Sequence, residues 1–301
     1  MSSEMATIRY LEAHTKVPVP RVYEYNDQLD GGGVGTPYVI MSRVEGVPLQ
    51  KLWREMDDHR RGLVLRQCAE IYLELLSHRF DKIGALFHNK DKGLVEEAWY
   101  IGPCPLPDEP THVGATNGVF RSGADLETTR INAALEAVGE KFFGSENNEY
   151  TYIMLWFVRS LTPTIVDPSL DVDGFPIMPY DFHPSNIIVT ESDSNPHITG
   201  IIDWEFSCTS ATWIFCKYPY FITDSYQGAT LEWRAERNAR DRATFDTAME
   251  EFEGKYFPKQ GLHFTKSIAS SRKVHAYEEI VWNEDMEYWE ELFWIVFGDS
   301  Q

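Results

Sequence analysis

Two short apolar runs, Ile187-Ile188-Val189 and Ile198–Ile202, restrict the fold more than any other feature of the chain. Each is too short for a helix, and the polar segment between them contains Asn195-Pro196, so they read as two short strands joined by a turn. Asp181 and Asn186 stand just before the first run, in Tyr180-Asp181-Phe182-His183-Pro184-Ser185-Asn186. Asp203 stands just after the second, in Ile201-Ile202-Asp203-Trp204-Glu205. A loop, a hairpin and a second strand end can therefore gather Asp181, Asn186 and Asp203 around one point. Phosphoryl transfer calls for such a set. One carboxylate orients or deprotonates the attacking hydroxyl, while an amide and another carboxylate offer hard oxygen donors to magnesium on nucleotide phosphates.

The rest of the chain divides by pattern. Met5, Ile8 and Leu11 recur at three-residue steps, which predicts a helix over Glu4 to His14 with Ser2 or Ser3 as its N-cap. Val17-Pro18-Val19-Pro20 ends it. Arg21–Tyr25 and Pro37–Met41 are β-rich runs around Asn26–Gly35, which predicts an antiparallel hairpin with a long glycine-rich tip. Beyond Gly46-Val47-Pro48 the composition turns helical, and Leu63, Val64, Cys68, Ile71, Tyr72, Leu75 and Leu76 keep helical spacing over several turns. Gly84 to Ser122 reads as an irregular excursion with one hairpin around Trp99-Tyr100-Ile101, and helices are expected between Asp125 and Ser160. Trp233–Phe252 and Ser271–Phe297 read as helical too, with Glu232–Arg242 as a solvated face. The aromatics Trp282, Tyr288, Trp289, Phe293, Trp294 and Phe297 read as core packing.

Composition narrows the function classes. The chain has 301 residues, with 47 acidic against 27 basic side chains and a formal net charge of −20. That excess of negative charge argues against nucleic acid as a partner, because phosphates would be repelled. No apolar run is long enough for a membrane span and the first residues do not begin a signal peptide, so a cytoplasmic protein with no membrane partner is expected. Cys68, Cys104, Cys208 and Cys216 are far apart and in no C-x-x-C arrangement, which predicts reduced structural thiols.

At the carboxylate loop the chain resembles the aminoglycoside phosphotransferase and choline kinase-like superfamily of the protein-kinase-like fold, in a fungal-type version. Asp181, His183 and Asn186 match the family loop H-G-D-x-H-x-x-N, and Ile198-Thr199-Gly200-Ile201-Ile202-Asp203-Trp204-Glu205 matches its metal-binding turn. Thr15–Tyr23 and Pro37–Met41 look like the strands that lead to the family's nucleotide hinge. The resemblance implies an α+β, two-lobe fold, with a reduced β-rich N-lobe over 1–46 and a large, mainly helical C-lobe over 47–301. It also implies Asp181 as catalytic base, Asn186 and Asp203 as metal ligands, and backbone groups near Ser42, Arg43 and Val44 against the purine. His183 would brace the loop, and Glu205 could support metal or substrate. Mg²⁺ with ATP or GTP would be the cofactors and a small molecule the substrate.

Two departures from the family pattern keep two readings open. Pro179-Tyr180 replace the usual His-Gly, and Glu4, in the place of the family's helix glutamate, follows only three residues, without the glycine loop and lysine that cover the phosphates. Gly31–Gly35 lacks the spacing to replace that loop. One reading is an ATP-dependent O-phosphotransferase acting on a small-molecule hydroxyl. The alternative is a kinase-fold protein that has lost phosphoryl transfer and serves as a small-molecule-binding protein or an ATP-independent biosynthetic enzyme.

Overall fold

A computed structural model describes residues 1–89, 93, 95, 98–104, 118–140, 146–166, 171, 173–190, 195–226, 229–230 and 234–257, with scattered positions between 267 and 298. The chain opens with helix α1 (Ser2–His14), whose Met5, Ile8 and Leu11 are all buried. Ser2 and Ser3 lie inside this helix and do not cap it, because Met1 holds the N-cap position. Strands β1 (Val22–Asn26) and β2 (Tyr38–Met41) form the expected antiparallel hairpin. At its tip Gly31–Gly33 make a tight turn, and the Asp30 carboxylate accepts the Gly32 N–H at 3.0 Å.

After β3 (Val47–Pro48) come α2 (Leu49–Leu52) and the long α3 (Asp58–Ser77). The Asp57 side chain accepts the Arg60 N–H at 2.8 Å and so caps α3. Strands β4 (Arg79–Phe80), β5 (Ala85–His88) and β6 (Trp99–Gly102) follow, and the β5–β6 pair is the hairpin anticipated around Tyr100. Helices α4 (Gly123–Glu140) and α5 (Glu146–Ile165) lead to β7 (Phe175–Met178). Then come β8 (Ile187–Val189), β9 (Ile198–Ile201), β10 (Cys208–Thr209), α6 (Thr212–Phe215), the short pair β11 (Ser225–Tyr226) and β12 (Ala229–Thr230), and α7 (Ala235–Tyr256). The order β3-β8-β9 makes one small sheet and β10-β7-β4 another. These small sheets among larger helices place the chain in the α+β class. The pairing of β7 with β4 and β10 joins residues too few and too far apart to leave a periodic signal in the sequence.

Two apolar clusters hold these elements. The first joins α1, α3, β8, β9 and α7, and it is continuous across Gly46. The second lies under α4, α5 and Trp213. Strand β7 stands between them, with Ile177 in the first cluster and Phe175 in the second. Helices α3 and α7 are also joined by a buried ion pair, Arg61 Nε to Asp241 Oδ1 at 2.9 Å. This corrects the expectation of a solvated face over Glu232–Arg242: Asn238 and Asp241 are buried, and the Arg237 guanidinium lies over the Trp53 ring. Near the C-terminus Phe293, Trp294 and Phe297 are exposed, against the expectation of core packing, while Trp282, Tyr288 and Trp289 lie outside the described residues. Of the helix expected over Ser271–Phe297, most positions lie outside them as well.

Candidate active site

The loop between β7 and β8 carries Asp181, His183 and Asn186. Its middle is pinned by Phe182, which is buried and meets the Tyr72 ring edge-on at 5.2 Å. With Phe182 turned into the core, the Asp181 side chain is left at the surface. Asn186 Nδ2 donates to Asp181 Oδ2 at 3.0 Å and, more weakly, to the Asp181 carbonyl at 3.3 Å. The amide thus fixes the carboxylate, and Asn186 Oδ1 is turned to the opposite side, where Ser185 Oγ lies 3.4 Å away.

His183 shapes the turn. The Ser185 N–H donates to its Nδ1 at 3.0 Å, so that nitrogen is an acceptor and the neutral ring carries its proton on Nε2. Tyr220 stacks on the ring with centroids 4.8 Å apart. Partial burial pushes the imidazole below its ordinary pKa, against the opposing pull of Asp181. A neutral ring is what the Ser185 bond requires. Neither Ser185 nor Tyr220 stood out in the sequence: the first is an ordinary loop residue and the second is distant in the chain.

Asp203 arrives from the other side. The Ile202 N–H donates to the Asn186 carbonyl at 2.9 Å, which ties the end of β9 to the end of the loop. Asp203 and Phe206 both take left-handed backbone conformations, at φ 62° and 59°. Aspartate tolerates this region, whereas a bulky aromatic there is a strained exception. Phe206 is held by its edge-on contact with Tyr180 at 5.7 Å, and between the two strained residues Trp204 is buried with its Nε1 donating to the Ile201 carbonyl at 3.0 Å. Glu205 is exposed. Across from this turn the half-buried Glu4 carboxyl is raised above its ordinary pKa, first by burial and then by the negative charges of Asp203 and Glu205. Glu4, Asp203 and Glu205 therefore share one electrostatic neighbourhood.

The segment Ser42–Gly46 crosses the back of the β8–β9 hairpin. Val44 packs on Gly200 so closely that a Cβ there would sit 2.6 Å from Val44 Cγ1. Thr199 Oγ1 donates to the Glu45 carbonyl at 2.5 Å. Gly46, at φ 125°, lies against Val189, where any Cβ would come within 2.3 Å of the Val189 carbonyl oxygen. Ser42 is used locally, its N–H donating to the Arg21 carbonyl and its Oγ accepting the Arg21 N–H, both at 2.8 Å. Arg43 is exposed beside Glu45. Of Ser42, Arg43 and Val44, the structure thus sets Val44 against the hairpin, followed there by Glu45 and Gly46, while Ser42 bonds to Arg21 and Arg43 is exposed.

Among the described residues, no group of three or more His, Cys, Asp or Glu side chains could hold a metal ion alone. Asn186 and Asp203 offer one amide and one carboxylate oxygen. That pair fits Mg²⁺, which keeps several waters and takes phosphate oxygens in place of a full protein cage. No helix among the described residues is long and apolar enough to cross a membrane.

Residues 1–102 match the family model of the phosphotransferase enzyme family, a span that holds α1, the β1–β2 hairpin and Ser42–Val44. A subtelomeric hrmA-associated cluster protein of Aspergillus fumigatus is 26% identical, with 77% of this chain and 55% of that protein covered. The altered inheritance of mitochondria protein 9 of Meyerozyma guilliermondii is 24% identical over 77% of this chain and 44% of its own length. The chain thus spans about half the length of the curated relatives it matches. An ADP-bound aminoglycoside phosphotransferase aligns with a TM-score of 0.48 at 12% identity, covering 96% of this chain and 79% of that one. The similarity to the phosphotransferase enzyme family thus covers residues 1–102 of the chain.

Proposed function

We propose that the protein transfers a phosphoryl group from a purine nucleoside triphosphate to a hydroxyl group of a small molecule. The observation that carries this reading is the Asn186–Asp181 hydrogen bond at 3.0 Å, together with the backbone bond that fixes Asn186 to the Asp203 turn. Three oxygen-bearing groups in this order suit one task each. The Asp181 carboxylate is exposed and oriented, so it can accept the proton of an acceptor hydroxyl as that oxygen attacks. Asn186 holds Asp181 in place with its amide nitrogen and leaves its Oδ1 for a cation. Asp203, fixed in its left-handed turn, presents the second oxygen donor. Mg²⁺, when bound there, supplies neutralisation of the charge on the transferring phosphate.

The purine is placed along Ser42, Arg43 and Val44, where the chain runs over the hairpin that carries the metal ligands. His183, Ser185 and Tyr220 act on substrate only through the loop they brace. Glu205 stays at the rim, where its charge adds to that of Asp203.

The experiment is a nucleotide-consumption assay over a panel of small hydroxyl compounds with the wild-type chain and Asp181→Ala. Loss of the general base is expected to lower turnover by about 10²- to 10⁴-fold while nucleotide affinity changes little. Turnover in Asp181→Ala at the wild-type rate would remove Asp181 from the chemistry and with it the reading.

A further inference from the structure

Helix α5 is apolar on two faces, and among the described residues the fold covers only one of them. Leu155, Val158 and Ile165 are buried in the second apolar cluster. On the other side Tyr150, Ile153, Trp156 and Phe157 recur at helical spacing, and all four are exposed. A helix that is apolar all round calls for cover on both sides. The surface continues beyond α5. The Phe157 ring lies 6.3 Å from that of Phe297, and the Phe293 ring lies 5.2 Å from Phe297 and 5.7 Å from Trp294. Val296, between Trp294 and Phe297, packs on the second cluster and anchors this turn, while Phe293, Trp294 and Phe297 are exposed.

We infer that this face is an interface between two copies of the chain, with the two α5 helices antiparallel across a two-fold axis near Ile153. Area is the first argument. These side chains are between 38% (Phe157) and 64% (Trp294) exposed, and at roughly 150–250 Å² for each they present roughly 700 Å² of apolar surface. That exceeds the roughly 300–600 Å² patch of a typical monomer and approaches the roughly 800 Å² that each partner contributes to a standard interface.

Charge and shape favour a second copy of this chain as the occupant. Glu149 and Arg159 are exposed toward opposite ends of the stripe. The Arg159 guanidinium lies over the Trp156 ring at 5.8 Å, which keeps it at the edge of the patch. Turning α5 end for end about Ile153 sets Arg159 of one copy opposite position 147 of the other, within a helical turn of Glu149, and the two-fold makes this contact twice. The same turn brings Tyr150 opposite Trp156. There a groove of about 530 Å³ opens between α4 and α5, lined by Leu135, Glu136, Tyr152 and Trp156, so Tyr150 of the second copy has a hole to enter. A lipid surface fits less well. Membrane-binding helices carry a rim rich in lysine and arginine, whereas Arg159 is the single basic residue of α5 and the chain carries a net charge of −20. At physiological ionic strength the self-repulsion of that charge is screened beyond about 8 Å.

Sedimentation velocity of the full chain over a range of protein concentrations tests the inference, with circular dichroism to check that each variant is folded. The expected result is a species of twice the chain mass at micromolar concentration. Ile153→Glu and Trp156→Glu should each raise the dissociation constant about tenfold or more, because each would bury a charge at the centre of the interface. Ile40→Glu, on the exposed β1–β2 ribbon, should leave the dimer intact. Glu149→Arg and Arg159→Glu should each weaken the dimer several-fold, and the double variant should recover it, which neither a foreign partner nor a loss of folding would produce. A chain that stays monomeric at every concentration would overturn the inference. So would a dimer indifferent to Ile153→Glu and Trp156→Glu, or a double charge variant that fails to recover what the single variants lose. Association with phosphatidylcholine vesicles in place of a dimer would overturn it too.

Discussion

Two hairpins meet at Ser42–Gly46, and they are built in opposite ways. The β1–β2 hairpin is a two-stranded ribbon on which Tyr23, Ile40 and Met41 are exposed. The β8–β9 hairpin is pinned on all sides: Ile187 and Val189 are fully buried, and Ile201 N–H donates to the Pro18 carbonyl at 2.8 Å. Gln67 of α3 clamps its turn, accepting the Ile198 N–H at 2.9 Å and donating to the Pro196 carbonyl at 3.0 Å. Packing is thus concentrated in the hairpin whose two ends carry Asn186 and Asp203. A site that must hold two groups in register needs its support on the rigid element, and the neighbouring ribbon carries no such demand.

The contrast breaks most directly by equal truncations. Ile187→Ala leaves a cavity in a fully buried position and should cost about 2–5 kcal/mol in denaturant unfolding. Ile40→Ala, on the exposed ribbon, should cost roughly 0.5 kcal/mol or less. Equal costs would mean that the two hairpins do not differ as described. Gln67→Ala sharpens the comparison at its clamp, because it leaves the Ile198 N–H and the Pro196 carbonyl without their partner. A loss of about 1–3 kcal/mol is expected, with weakened nucleotide binding, and Gln67→Glu should recover only the acceptor half of the contact.

The smallest effect concerns pH. His183 has a folded pKa below its ordinary value, so its contribution to stability is complete above pH 6.5 and is lost as pH falls through the folded value. Melting temperature followed between about pH 7.5 and 5 should fall more steeply in the wild type than in His183→Asn. Parallel curves would show that protonation of His183 does not act on the loop.

Much of this arrangement was legible in the sequence, for a physical reason. Short β-rich runs bounded by proline, glycine or asparagine can do little except pair, and so both hairpins could be read. Helix α3 could be read because one of its faces is apolar over several turns, from Leu63 to Leu76. What periodicity reports is a face; it does not say what lies across from it. The charged stretch before Arg242 therefore looked solvated, whereas Asp241 is buried against Arg61 from a helix 180 positions away. The aromatics at Phe293, Trp294 and Phe297 looked like core for the same reason, and they are exposed. At the candidate site, the nearness of Asp181 to Asn186 was legible from spacing, while the stacking of Tyr220 on His183 depends on a tertiary neighbour that leaves no local mark.

The central claim is that the ends of the β8–β9 hairpin hold the cation and phosphates of a bound nucleotide. Calorimetric titration of the chain with ATP and with GTP, with and without Mg²⁺, tests it most directly, with Asp203→Asn as the control. Asparagine keeps the left-handed turn while removing the charge. The account predicts magnesium-dependent binding in the wild type that Asp203→Asn loses by about tenfold or more. Absence of binding at millimolar nucleotide, or binding indifferent to magnesium and to Asp203, would contradict it and favour a kinase-like protein turned to another ligand.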